Sequence, residues 1–113
     1  MESEYAIEVF NKEFVVIFDW GHHSFNHYET ITHCAIIEAP KNKIYSGSSL
    51  KNSHDLIDNM QVGRRWAYKR AVFMLWLIWT ELKHTDEPFK PFWQEFRQAL
   101  AKNNLYLADR REN

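Results

Sequence analysis

The chain has 113 residues, of which 45% are hydrophobic and 16% aromatic, and this size and composition are typical of one domain with a packed core. Its formal net charge of -1 excludes the overall positive charge of nonspecific nucleic-acid-binding proteins, so any anion site must be local. A single cysteine, Cys34, cannot form an internal disulfide, and no signal-peptide pattern is visible. We therefore expect a reducing, cytoplasmic environment.

The first half of the sequence predicts an antiparallel β-meander. Four segments are rich in aromatic and β-branched residues or lie between turn signals, and strands are expected at Tyr5–Phe10, Glu13–Phe18, Thr30–Ala39 and Ile44–Ser46. Asn11-Lys12 separates the first two strands at the spacing of a tight hairpin. The histidine-rich residues 22–29 are expected to form a polar loop, and Pro40 ends the third strand.

The second half of the sequence predicts helices behind the meander. The small, polar segment Gly47–Ser53 is expected to be a loop whose last residues, Asn52 or Ser53, cap a helix. A long central helix is expected from about Val62 to His84, and an amphipathic helix follows Pro88. We expect one α+β domain over residues 1–113, with the meander in 5–46, two or three helices in 53–102 and a charged tail in 103–113.

The central helix is apolar on more than one face. Its residues at three- and four-residue spacing are expected to cover the sheet, and these are Ala67, Ala71, Met74, Leu75, Ile78 and Leu82. One small sheet cannot bury the remaining apolar faces as well, so the last helix or a partner subunit must cover them. We expect a homo-oligomer whose contact residues are Phe73, Trp76, Leu77 and Trp79. The apolar run is far shorter than the about 20 residues of a membrane span, so no membrane partner is expected.

Residue types that support catalysis or metal binding do not form a known pattern in this chain. Four histidines, His22, His23, His27 and His33, are close in sequence, but neither a HExxH pair nor paired cysteines accompany them. If His33 lies on a strand, its neighbour Cys34 points to the opposite face, where an apolar strand predicts a buried, inert thiol. The serines lack a GxSxG elbow, and three glycines are too few for a phosphate-binding loop. We expect no enzyme activity, no metal and no cofactor.

A basic cluster with interleaved aromatic residues is the strongest functional signal. Its members are Arg64, Arg65, Trp66, Tyr68, Lys69 and Arg70, and no acidic residue lies between Gly63 and Thr80. Guanidinium groups donate bidentate hydrogen bonds to phosphate, and aromatic rings stack on bases, so the cluster favours a nucleotide ligand. The alternative is a polar first turn of a buried helix, with these cations paired to Asp55, Asp58 or Glu38. On residue types alone, this alternative is the more common arrangement.

The segment from Gly47 to Ala71 reads G-x-S-x(5)-D-x-I-x(5)-GRR-x-A-x-x-RA. It resembles a motif of small bacteriophage proteins in which a similar stretch follows a β-meander, in particular the Thoeris anti-defence sponges. The matching positions are Gly47, Ser49, Asp55, Ile57, Gly63, Arg64, Ala67, Arg70 and Ala71. The chain has Lys51 and Ser53 where the motif has cysteine and proline, and Ile57 in place of an aromatic residue.

The resemblance implies a phage protein that oligomerises and sequesters a cyclic nucleotide immune signal in the host cytoplasm without cleaving it. Arg64, Arg65, Arg70 and Lys69 would then bind phosphate, Trp66, Tyr68 or Tyr28 would stack on a base, and Asp55 would belong to the same site. A second hypothesis is a protein–protein inhibitor that docks on a host defence or nucleic-acid enzyme through its aromatic surface. A third is metal-dependent nucleotide hydrolysis through the histidine-rich stretch. Nucleic acid itself is not an expected partner.

Overall fold

The computed structural model describes residues 2–23, 26–40, 42–51, 60–83, 87–103 and 105, with side chains for 3–19, 31–40, 42–49, 63–81, 87–103 and 105. Four β-strands are followed by two α-helices. The strands are β1 (Glu2–Val9), β2 (Lys12–His23), β3 (Asn26–Glu38) and β4 (Lys43–Lys51), and the helices are α1 (Met60–Lys83) and α2 (Phe89–Ala101). The predicted α+β class and the order of its elements are therefore confirmed.

The strands form one antiparallel sheet in the order β1-β2-β3-β4, which is a simple meander. The β1–β2 hairpin turns at Phe10 and Asn11, one residue before the predicted Asn11-Lys12, and both residues have positive φ, of 54° and 62°. Two such residues are typical of the hairpin turns that match the twist of a sheet. Phe10 tolerates this conformation because its ring packs on Trp79 and Phe92, with centroids 5.6 and 5.5 Å away.

Two of the predicted loops are strand. β4 continues to Lys51, so Gly47 and Ser49 lie in a strand, and the described residues of the histidine-rich stretch, 22–23 and 26–29, belong to the end of β2 and the start of β3. These polar segments are strands because β3 is long enough to pair with both β2 and β4 along them. The backbone hydrogen bonds form whatever the side chains are, and polar side chains are tolerated on the solvent-facing side of the sheet. The predicted cap at Asn52 or Ser53 lies outside the described residues, as does the tail beyond 105.

The core lies between one face of the sheet and the two helices. The sheet contributes alternate residues that are buried, including Phe14, Val16 and Phe18 of β2 and Cys34 and Ile36 of β3. The buried residues of α1 are Arg65, Ala67, Tyr68, Ala71, Val72 and Leu75, and those of α2 are Phe92, Trp93, Phe96, Ala99 and Leu100. The predicted apolar face of α2 is confirmed, with Phe89 partly buried beside it.

The rotation of α1 differs from the prediction. Ala67, Ala71 and Leu75 do face the sheet, but Met74 is 45% exposed and Ile78 is 37% exposed. The side chain of Leu82 lies outside the described residues. Because α1 is apolar on several sides, its sequence spacing does not select one face, and the helix instead buries the side of Tyr68 and Val72 against α2 and the sheet.

Hydrogen bonds connect α2, and the residues just after it, to α1 and β1. The Tyr68 hydroxyl of α1 donates to the Phe96 carbonyl over 2.7 Å, inside the core. At the other end of α2, the Asn103 amide donates to the Ala6 carbonyl of β1 over 3.2 Å. Neither α1 nor α2, the two helices within the described part of the chain, has the length and apolar character needed to cross a membrane.

Candidate functional site

The basic cluster occupies the first three turns of α1, but its cations do not all face the same way. The Arg64 guanidinium lies over the Phe18 ring, 5.6 Å from its centroid, and Nη2 donates to Ser3 Oγ over 3.4 Å. Arg65 is buried and lies 5.2 Å from the centre of the Trp66 ring. Both arginines therefore pack against this chain.

Lys69 and Arg70 lie on the outer side of α1, next to Trp66. The Lys69 ammonium is 5.8 Å and the Arg70 guanidinium 5.7 Å from the centre of the half-buried Trp66 ring. Lys69 also lies 5.9 Å from the Trp93 ring, and Arg70 donates to the Ser48 carbonyl of β4. These contacts hold the two cations beside an aromatic face, which is a favourable cation–π arrangement.

An open pocket of about 420 Å³ lies over these residues. Its lining comes from β4 (Ser46, Gly47 and Ser48), from α1 (Trp66, Lys69, Arg70, Phe73 and Met74) and from the start of α2 (Phe89). Of the predicted ligand-binding residues, the pocket brings together Trp66, Lys69 and Arg70. The contributions of β4 and Phe89 were not predicted, because residues so far apart in the sequence meet only through the packing of three elements.

Three aromatic rings hold the α2 side of the pocket in place. Phe73, Trp76 and Phe89 contact one another with ring centroids 5.3 to 5.5 Å apart. The Trp76 indole donates to the Glu87 carbonyl over 2.8 Å, which connects α1 to the residues before α2. Trp76 is therefore engaged within the chain, although the sequence predicted it as an oligomer contact.

Of the other predicted oligomer contacts, one packs within the chain and two are exposed. Trp79 packs on Phe10 and Phe92, and the Lys12 ammonium lies 4.9 Å from its ring. Phe73 and Leu77 are 42% and 40% exposed, so their side chains are open to solvent in this chain. The structure thus leaves two of the four predicted contacts on the surface.

One further predicted site residue, Tyr68, lies away from the pocket. Tyr68 belongs to the core: its ring is fully buried, its hydroxyl is bound to Phe96, and burial raises its pKa well above the usual 10.0. A ring in this position has no face on which a ligand base can stack. The Tyr28 side chain and Asp55 lie outside the described residues.

The alternative ion-pair explanation for the basic cluster receives no support from Glu38. This carboxylate is nearly buried, and its Oε1 lies 3.3 Å from the Lys12 ammonium of β2. Its partner is therefore a neighbouring strand and not α1. Asp55 and Asp58, the other acids considered for these pairs, are outside the described residues.

Asp19, His33 and Ser48 form a row across the outer face of the sheet. Direct cross-strand pairing puts His33 beside both of the other residues, and His33 Nδ1 lies 2.6 Å from Ser48 Oγ. All three side chains are exposed. A hydrolase triad has these residue types, but it requires an enclosed site with oxyanion donors, and this row lies on an open strand surface. Ordinary cross-strand contact explains it.

His33 and Cys34 face opposite sides of β3, as predicted. His33 is exposed, whereas Cys34 is 1% exposed, and burial raises the pKa of its thiol. Such a thiol is a poor nucleophile and a poor metal ligand. Among the side chains that the structure describes, no three histidine, cysteine, aspartate or glutamate residues come together as metal ligands.

The segment from Gly47 to Ala71 contributes mainly to helix packing. A Cβ on Gly47 would lie 2.6 Å from the Ala67 carbonyl oxygen and the Ala71 nitrogen of α1. A Cβ on Gly63 would lie 2.7 Å from the Thr32 hydroxyl, and the Ser49 hydroxyl donates to the Gly63 carbonyl over 2.9 Å. Five of the nine matching positions, Gly47, Ser49, Gly63, Ala67 and Ala71, therefore let α1 approach β3 and β4 closely.

No family model, curated protein or solved structure matches this chain. The functional conclusion accordingly depends on the chemistry of the pocket. Its aromatic walls suit a planar or apolar group, and its two cations suit a negatively charged group on the same molecule.

Proposed function

We propose that this protein binds and sequesters a nucleotide-type small molecule in the pocket formed by β4, α1 and α2. The observation that carries the proposal is the placement of Lys69 and Arg70 beside Trp66, within one pocket that Phe73 and Phe89 also line. More specifically, we propose that the ligand is a cyclic nucleotide immune signal and that the protein is a phage anti-defence protein, which withholds the signal from its receptor.

The pocket has the size and the mixture of groups that such a ligand requires. Its volume of about 420 Å³ falls in the usual range of small-molecule sites, roughly 300 to 1,000 Å³. Lys69 and Arg70 would donate to phosphate oxygens, and Trp66 would stack on a base. Arg70 is already held by the Ser48 carbonyl, so less side-chain entropy is lost when an anion binds.

Retention without cleavage is consistent with the residues around the pocket. Among the described residues of its lining, the charged side chains are the two cations Lys69 and Arg70, and the Ser48 hydroxyl is paired with His33 on the outer face of the sheet. Lys69 and Arg70 stabilise a bound phosphate, whereas general acid–base cleavage needs a group that exchanges protons near neutral pH. The proposal is therefore sequestration.

The decisive experiment measures binding of cyclic ADP-ribose isomers by calorimetry to wild type and to Lys69→Gln/Arg70→Gln. Charge-assisted hydrogen bonds contribute about 1.5–3 kcal/mol each, so the double variant should bind at least about 100-fold more weakly. Lys43→Gln/Lys102→Gln is the matched control, because it removes two exposed cations outside the pocket lining and should leave affinity unchanged.

The same samples, heated after binding, show whether the ligand is released intact. Mass spectrometry should recover the unaltered nucleotide in stoichiometric amount. An altered nucleotide would contradict sequestration, and equal affinity of the two double variants would contradict the assignment of the site. If no cyclic nucleotide binds to wild type, the proposed ligand class is wrong.

A further inference from the structure

The exposed side of α1 carries an apolar stripe with a cation at one end and an acid at the other. Its members follow three- and four-residue helical spacing, and all are exposed: Arg70, Phe73, Met74, Leu77, Ile78 and Glu81. The four apolar side chains are 37–45% exposed. Large apolar residues that adjoin one another on a surface usually mark an interaction site.

The stripe is complementary to itself in one orientation only. Its midpoint lies between Met74 and Leu77. When a second α1 is placed antiparallel about that point, Met74 of each copy faces Leu77 of the other. Phe73 then faces Ile78 of the second copy at each end of the apolar centre. In a parallel arrangement, like residues would face one another instead.

The charges select the antiparallel orientation. Antiparallel pairing places Arg70 of each copy opposite Glu81 of the other, so both ends of the stripe have opposite charges. Parallel pairing would place the two Arg70 side chains together and the two Glu81 side chains together, which is repulsive. A guanidinium has five donors, so Arg70 can bind a carboxylate while it donates to the Ser48 carbonyl.

We propose that a second copy of this chain docks on the stripe through its own stripe, forming a symmetric dimer of antiparallel α1 helices. A twofold axis makes this interface isologous, since the same patch serves both copies. Met74 and Ile78 belong to this contact, together with Phe73 and Leu77. Trp76 and Trp79, which pack within the chain, do not.

The dimer would also enclose the pocket, a consequence that depends on the function proposed above. Arg70, Phe73 and Met74 belong to both the stripe and the pocket lining. Ile78 of the second copy would therefore lie along the open side of the pocket, and its Glu81 would share the guanidinium of Arg70 with a ligand phosphate, which leaves Lys69 as the pocket cation that the ligand does not share with the second copy. A ligand held between two copies loses more contact with water, and this favours the slow release that sequestration requires.

The test is the solution mass of the full chain by light scattering, for wild type and charge variants. Wild type should have twice the 13.7 kDa mass of one chain. Glu81→Arg places like charges at both ends of the interface and should weaken the dimer about tenfold or more, given two pairs of exposed charges. The double variant Arg70→Glu/Glu81→Arg restores opposite charges and should recover the dimer.

Two further variants make the result specific to the stripe. Leu77→Glu buries two carboxylates at the centre of the contact and should abolish dimerisation. Glu95→Arg reverses an exposed acid on α2, outside the stripe, and should dimerise like wild type. Circular dichroism verifies that each variant is folded before its mass is interpreted.

The outcomes separate this proposal from the proposed function. A monomeric wild type overturns the dimer, and if that monomer instead captures a different protein, the stripe is a docking site for that protein. A dimer that Glu81→Arg leaves intact, or that the charge swap fails to rescue, overturns the antiparallel arrangement. The charge-swapped variant lacks a pocket cation, so it should dimerise and yet bind cyclic ADP-ribose more weakly than wild type. If wild type binds no cyclic ADP-ribose, the masses of the same variants still test the dimer.

Discussion

At the scale of single residues, two glycines let α1 lie close to the sheet. Gly47 of β4 faces the α1 backbone at Ala67 and Ala71, and Gly63 of α1 faces Thr32 of β3. Any larger residue at Gly47 would push the helix away from the sheet. Because Arg70 donates to the adjacent Ser48 carbonyl, the same contact also places a pocket cation.

We therefore expect Gly47→Ala to destabilise the fold by about 3 kcal/mol, since its Cβ would meet fixed backbone atoms. Gly63→Ala is the comparison: its Cβ meets one hydroxyl, and alanine gains roughly 1 kcal/mol of helix propensity over glycine. It should cost at least 2 kcal/mol less than Gly47→Ala. Urea denaturation measures both values, and equal losses would contradict the close approach of β4 and α1.

At the scale of elements, α1 contacts the sheet and α2 and also carries the proposed binding surfaces. One side packs on β3 and β4, a second side contacts α2, and the outer side carries the pocket cations and the stripe. Two polar atoms on this apolar helix fix α2 against it, namely the Tyr68 hydroxyl and the Trp76 indole nitrogen. Aromatic residues suit this role, because they combine a large buried surface with one directional hydrogen bond.

Replacement of Tyr68 by phenylalanine should lower the free energy of unfolding by about 1 kcal/mol, because one buried hydrogen bond between α1 and α2 is lost. The core otherwise keeps its shape. Tyr5→Phe removes a hydroxyl from a half-buried ring on β1 and is the control, with a smaller expected loss. If Tyr68→Phe keeps wild-type stability and the α2 amides keep their hydrogen-exchange protection, the bond does not hold the helices together.

At the scale of the whole molecule, folding buries weak acids that must stay protonated, among them Cys34 and Tyr68. Burial raises the pKa of the Cys34 thiol above its usual 9.0 and that of the Tyr68 hydroxyl above its usual 10.0. In the unfolded chain both groups ionise near those ordinary values. Above pH 9 the unfolded state therefore binds fewer protons than the folded state, and stability falls as pH rises.

The free energy of unfolding should be insensitive to these two groups below pH 8 and should decrease above pH 9. Each ionising group adds a slope of about 1.4 kcal/mol per pH unit once the pH exceeds its unfolded pKa. Cys34→Ala should remove most of the slope between pH 9 and 10. Urea denaturation at a series of pH values gives these slopes, and an unchanged slope in Cys34→Ala would show that the thiol ionises in the folded state.

Sequence patterns predicted the local features of this fold but not those that depend on distant residues. The β1–β2 hairpin and the apolar face of α2 were predictable, because strand alternation, turn residues and helical spacing involve neighbours in the chain. The extent of β4 was not, since strand pairing at Gly47 and Ser49 is set by β3 across the sheet. The choice of Tyr68 over Met74 as a buried residue of α1 likewise depends on the elements around the helix.

The sequence by itself determined the α+β class, the order of the elements and the presence of cations beside tryptophan on the central helix. Only the tertiary structure decided that Lys69 and Arg70 meet Phe89 in one pocket while Arg64 and Arg65 pack against this chain. The physical reason is the distance along the chain over which each interaction acts. Backbone preferences act over a few residues, whereas a pocket forms where β4, α1 and α2 converge, and their approach is set by contacts such as Gly47 on Ala67.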